Sequence, residues 1–220
     1  DFPKITIPGG MQPRCALGYS FFPMLYIFLN CGAFAGRAKE ITEKSLEELA
    51  ALLQRRSEQY SDWNNENNPA LKLAEDIYGT APVVYSASER MDTVNLRWRG
   101  QFHENAKNFA FGGFLPEMNH NEVNGWAYPS ELKQKFSIIL LRDPEDHPRI
   151  KIRFDALETL LKKSCGKMLV YESSADMLLA RIFDMIYLGD WASWYLALLS
   201  GVDPTPIPFI SELKNILSEK

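Results

Sequence analysis

A chain of 220 residues with 46% hydrophobic and 24% charged side chains can build one well-buried core but is too short for two full α/β domains. The same composition excludes a disordered or fibrous chain, and a formal charge of -4 leaves no general basic field for nucleic acid. Cys15, Cys31 and Cys165 are odd in number, widely spaced and without a Cys-x-x-Cys pair, which argues against a disulfide framework or structural zinc and for a reducing cytoplasm.

The chain opens with Ile5-Thr6-Ile7 and Pro8-Gly9-Gly10, the end of a strand or linker running into a turn, as if cut from something longer. Ala16 to Ala35 is apolar but holds Pro23 and Asn30 and lacks the charged leader of a signal peptide, so a buried helix is expected. Leu46, Leu49, Leu52 and Leu53 follow at helical spacing, with Thr42 and Ser45 available as caps. A polar break at Asn64 to Pro69 leads into a second helix, Ala70 to Tyr78, closed by Gly79, so the pair reads as a helical hairpin. Pro82 to Ser86, Phe136 to Leu141 and Lys167 to Tyr171 are strand candidates, and Met91 to Lys107 permits a helix. Met177 to Leu199 is apolar but interrupted by Arg181, Asp184 and Asp190, which a bilayer interior penalises, so no membrane span is expected. Alternating strands and helices predict a parallel sheet covered on both faces, with ligands at the C-terminal ends of the strands.

Three segments hold groups that could carry chemistry, and each also has an ordinary structural explanation. Arg14, in Gln12-Pro13-Arg14, precedes a predicted helix, where a guanidinium can meet an anion or simply face solvent at a turn. Trp98 to Trp126 concentrates titratable and amide groups, among them His103, Glu104, Glu117, His120 and Glu122. A carboxylate there could serve as general base and a histidine as proton shuttle. A metal site competes, although no spacing matches His-Glu-x-x-His. Gly201 to Pro208 is a proline-rich turn into a last amphipathic helix, with Lys214 beside its apolar stripe. Nucleophilic catalysis lacks support: there is no Gly-x-Ser-x-Gly elbow and no cysteine near a histidine.

In order, these segments resemble the bifunctional phosphoglucose/phosphomannose isomerases, built from two sugar-isomerase (SIS) domains. Pro13 to Gly18 resembles the family's Pro-Arg-x-Ala-Leu element, Gln101 to Lys107 its Asn-Glu-Asn-Ala-Lys element, and Leu115 to Glu122 its Pro-Glu-x-x-His-Asn element. Gly201 to Pro206 with Leu213-Lys214 resembles its closing segment. The resemblance implies an α/β fold, an SIS-type three-layer αβα sandwich with a mainly parallel sheet and extra N-terminal helices. Residues 1–15 would be a linker from a missing N-terminal SIS domain, and 16–220 the C-terminal SIS domain.

The resemblance further implies interconversion of glucose 6-phosphate or mannose 6-phosphate with fructose 6-phosphate in the cytoplasm, in glycolysis and gluconeogenesis, by a homodimer needing no metal or other cofactor. Glu104 would be the base between C1 and C2, and Arg14 would stabilise the cis-enediolate. His120, donated across the dimer interface, and Lys214 would assist ring opening. Thr205 would contribute to discrimination at C2, with Ile207 the nearer match to the family threonine. The N-terminal domain's Gly-x-Gly-Gly-Ser and Ser-x-Ser-Gly-x-Thr phosphate loops have no counterpart here, so weak or no activity is expected of the chain alone. A non-catalytic sugar-phosphate-binding or dimerising SIS domain is the alternative. In either case Gly112 to Trp126 could supply a symmetric interface, or equally be covered within the chain or by the missing domain.

Overall fold

A computed structural model describes residues 4–33 and 41–219. They fall into two compact units, Asp1–Ala50 and Ala51–Lys220. The first holds a 3-10 turn at Pro13–Cys15, helix α1 (Leu17–Asn30) and the start of α2 (Glu43–Ser61). Thr42 and Ser45 cap α2 reciprocally, the Ser45 N–H donating to Thr42 Oγ1 at 3.2 Å and the Thr42 N–H to Ser45 Oγ at 2.8 Å.

The expectation for α1 is half right. The helix forms, Pro23 included, but only Leu25 is buried, while Tyr19, Met24, Tyr26, Ile27 and Phe28 are exposed. Apolar residues lie on more than one side of α1, so no single packing face can cover them all. The end of that predicted stretch, at 34 and 35, lies outside the described residues.

In the second unit α3 (Pro69–Ile77) is capped by Asn68, whose Oδ1 accepts the Ala70 and Leu71 N–H groups at 3.0 and 3.2 Å. Strands β1 (Ala81–Ala87), β2 (Phe111–Leu115), β3 (Phe136–Arg142) and β4 (Lys167–Glu172) form one parallel sheet in the order β2-β1-β3-β4. The steps β1 to β2 and β3 to β4 run in opposite directions across it. Right-handed crossovers therefore put α4 (Asp92–Glu104) and α7 (Pro148–Leu161) on opposite faces. The burial agrees. Val83, Tyr85, Ile138 and Leu140 share a core with Phe154, Leu157 and Leu161 of α7. On the other face Asn95 of α4 donates to the carbonyls of Val84 and Gly113, at 2.9 and 3.2 Å.

The predicted strands at 82–86, 136–141 and 167–171 lie within β1, β3 and β4; β2 was not predicted, because Phe-Gly-Gly-Phe-Leu breaks the apolar run with two glycines. Gly112 has a packing reason to be glycine: a Cβ there would collide with the Val84 carbonyl. α8 (Leu178–Leu199) is the central helix of its layer, packing on α3 and α4. Its three interrupting charges are each paired: Arg181 Nε with Asp143 at 2.8 Å, Asp184 with Arg56 Nε at 2.7 Å and Asp190 with Arg97 Nη2 at 2.7 Å. No helix among the described residues is long and apolar enough to cross a membrane. Short helices α5 (Glu122–Gly125) and α6 (Ser130–Lys133) lie between β2 and β3, and α9 (Pro208–Ser218) closes the chain without a buried residue.

Candidate functional site

Glu104 is the last residue of α4, and its turn is tied on two sides. Towards α8, Gln101 Nε2 donates to Asp190 Oδ1 at 2.8 Å and Asn105 Nδ2 to Ser193 Oγ at 2.9 Å. Asp190 also takes Arg97 in a two-point grip, Nε at 3.0 Å and Nη2 at 2.7 Å. Burial raises the pKa of the Asp190 carboxyl against these opposing donors. Away from α8, Lys107, at φ 51, ends the helical run, and its Nζ donates to the Asp203 carbonyl at 2.7 Å and the Asn105 carbonyl at 3.2 Å. Asp203 Oδ1 in turn accepts the Thr205 N–H at 2.8 Å. That N–H and the Thr205 side chain hold the Asp203 carboxyl below its ordinary pKa.

Two of the segments singled out in the sequence, 101–107 and 201–206, are thus brought together. Arg14 lies in the first unit, buried in the turn Pro13–Cys15. Lys214 is exposed on α9, Ile207 precedes that helix, and Thr205 is exposed on the turn that Lys107 holds.

The Glu104 turn stands at the N-terminal edge of the sheet, since Asn108 Nδ2 donates at 2.9 Å to the carbonyl of Thr80, the residue before β1. Glu104 thus lies at the edge opposite the C-terminal ends of the strands, where ligands are expected in a sheet of this kind. α4 runs back antiparallel to β1, and its 13 residues carry Glu104 about 20 Å towards the opposite edge. His120 follows β2 and sits exposed past that strand's C-terminal end, beyond the 3-10 turn Glu117–Asn119. The five residues of β2, rising about 3.3 Å each, separate Glu104 from His120 within one chain. The same strand divides His103 and Glu104 from Glu117, His120 and Glu122, and no group of three or more His, Cys, Asp or Glu suited to a metal ion occurs among the described residues.

Past the C-terminal ends of β1 and β3 the chain's own charges pair with one another. Asp143, 1% exposed, accepts Arg181 Nε at 2.8 Å and Nη2 at 3.3 Å. Arg90 Nη1 donates to Glu145 Oε2 at 2.9 Å, and Asp146 Oδ2 accepts the Asp143 N–H at 3.0 Å. Burial pushes the Asp146 carboxyl up.

A parallel αβα sandwich of this order is a doubly wound fold, and the family model that matches it makes its class that of SIS domains. A glucose-6-phosphate isomerase like protein from Thermus thermophilus superposes with a TM-score of 0.54 at 23% identity, covering 63% of this chain and 46% of its own. Glucosamine-6-phosphate deaminase from Thermotoga maritima does so at 0.51 and 13% identity, over 74% of this chain and 47% of its own. The chain belongs to the bacterial phospho-glucose isomerase C-terminal SIS domain family, whose model matches residues 66–217. Among curated relatives, the bifunctional phosphoglucose/phosphomannose isomerase of Caldicellulosiruptor bescii is 39% identical over 99% of this chain and 63% of its own length. That of Aquifex aeolicus is 34% identical over 97% and 61%. The chain thus spans a little under two-thirds of the length of these relatives.

Proposed function

We propose that this chain is the base-bearing part of an aldose–ketose isomerase that interconverts glucose 6-phosphate or mannose 6-phosphate with fructose 6-phosphate. The observation that carries this reading is the Lys107 link, which gathers the Glu104 turn and the closing turn at one edge of the sheet. Isomerisation needs one base that reaches both C1 and C2, a cation beside the oxygen on which charge develops, and acid–base help to open the ring. Glu104 moves the proton, Arg14 stabilises the cis-enediolate, and Lys214 assists ring opening. Thr205, on the tethered turn, serves discrimination at C2.

His120 stands across β2 from its own Glu104, which supports the reading that it serves the site of a second copy in a homodimer. Residues 1–15 act as a linker and 16–220 as the SIS domain. The substrate phosphate is held by the part of the relatives that this chain does not span. Cytoplasmic sugar-phosphate metabolism, in glycolysis and gluconeogenesis, is the setting.

The test is turnover of fructose 6-phosphate and mannose 6-phosphate by the natural-length protein with Glu104→Gln. Loss of both activities by at least about a hundredfold is expected for removal of a general base. Retention of both overturns the catalytic reading and leaves a binding or dimerising domain.

A further inference from the structure

His120 lies on an exposed loop whose next element, α5, is four residues long and contains no buried residue. Such a segment does not orient a proton-transfer group by its own helical stability. Arg153 Nη1 steadies its beginning, donating to Asn119 Oδ1 at 3.2 Å, and Asn121 Oδ1 caps α5 by accepting the Glu122 N–H at 2.6 Å.

A further anchor crosses the sheet edge. Gly113 of the edge strand β2 stands opposite Tyr85 of β1, and the Glu122 side chain lies over it. A Cβ at 113 would fall 2.5 Å from Glu122 Oε1 and 3.0 Å from its Cδ and Oε2, and those are the nearest atoms it would meet. Glycine therefore leaves room for the carboxylate over the edge strand. Tyr85, the register partner of Gly113, is 2% exposed, and its hydroxyl oxygen accepts Trp126 Nε1 at 3.0 Å. The hydroxyl proton is free for the carboxylate, because the indole is a donor only. Burial first, and the Glu122 charge in addition, raise the pKa of Tyr85 against the indole bond, so the hydroxyl keeps that proton.

We propose that Glu122 and Tyr85, meeting over Gly113, form a clasp that positions His120 for its proton transfer. The proposal rests on the role given to His120 above; Glu122, Tyr85 and Gly113 are positioning residues and do not touch substrate.

The experiment is steady-state kinetics of the natural-length protein carrying Glu122→Ala, Glu122→Gln, Tyr85→Phe, Gly113→Ala and His120→Ala, alone and in pairs, with thermal unfolding to show that each variant is folded. The expected result for Glu122→Ala, Tyr85→Phe and Gly113→Ala is a kcat lowered by about ten- to a hundredfold with KM nearly unchanged, the scale of a misplaced catalytic group. Glu122→Gln, which keeps an acceptor of the same reach, retains most of the turnover. Glu122→Ala adds nothing to His120→Ala, and Gly113→Ala adds nothing to Glu122→Ala, as expected of residues acting through one another. Wild-type kcat in Glu122→Ala, or losses that multiply with His120→Ala, overturn the clasp and leave the role of His120 standing. Wild-type turnover by His120→Ala overturns both.

Discussion

Lys107 bonds to a carbonyl 96 positions away in the chain, and its energetic worth differs from that of a surface lysine. Its ammonium satisfies two backbone acceptors at once, on Asn105 and Asp203, so the lysine fixes the spacing between the Glu104 turn and the Thr205 turn. Replacing it by methionine keeps the stem and removes the donor. Lys107→Met is expected to lower kcat/KM by about tenfold or more through loss of positioning, with a much smaller change in unfolding midpoint; an unchanged kcat/KM would show that the turn holds without it. Gly112 gives a residue-scale test of a different kind. Gly112→Ala drives a Cβ into the Val84 carbonyl across the β1–β2 pairing, and urea unfolding is expected to show destabilisation of about 1–3 kcal/mol, the usual cost of overpacking.

Elements here are held to one another by charge as well as by apolar packing. Asp76 of α3 accepts Lys72 at 2.9 Å and Lys167, the first residue of β4, at 2.6 Å. Burial would raise its pKa, but the two ammonium groups outweigh that and hold it below the ordinary carboxylate value. A depressed folded-state pKa stabilises the native chain at pH values above the unfolded carboxylate pKa of about 3.9, and the contribution is lost as pH falls through the lower folded value. Asp76→Asn is therefore expected to lower the unfolding midpoint at pH 7 and to converge with the wild type in strong acid. Because both lysines are substantially exposed, the effect amounts to less than about 1 kcal/mol. The helix α8 shows why its charges did not mark an exposed face: Arg181, Asp184 and Asp190 each meet a partner from another segment, which spacing along the helix cannot reveal.

At the scale of the molecule, the proposed activity needs a base, a phosphate site and a His120 from a second copy, and of these the proposal assigns only the base to one turn of this chain. Residues 1–220 alone are expected to show little or no turnover of fructose 6-phosphate, with activity returning in the natural-length protein; full turnover by 1–220 would place the phosphate site within it. Three of the four strands and the longer helices were legible in the sequence, because short apolar runs bounded by turns mark strand candidates. The edge strand β2 was not legible, since Gly112 and Gly113 are set by the Val84 carbonyl and the Glu122 side chain that lie against them. Arg14, Glu104, His120, Thr205 and Lys214 were found by motif order, which registers residue type and interval but no distance. By itself the sequence determined the family, the αβα class and the candidate groups, all of which follow from local pattern. Only the tertiary structure decided which of those groups meet. An antiparallel α4 carries Glu104 to one edge of the sheet while β2 runs on to leave His120 at the other, and the direction of a crossover is a property of packed layers rather than of any local run of residues.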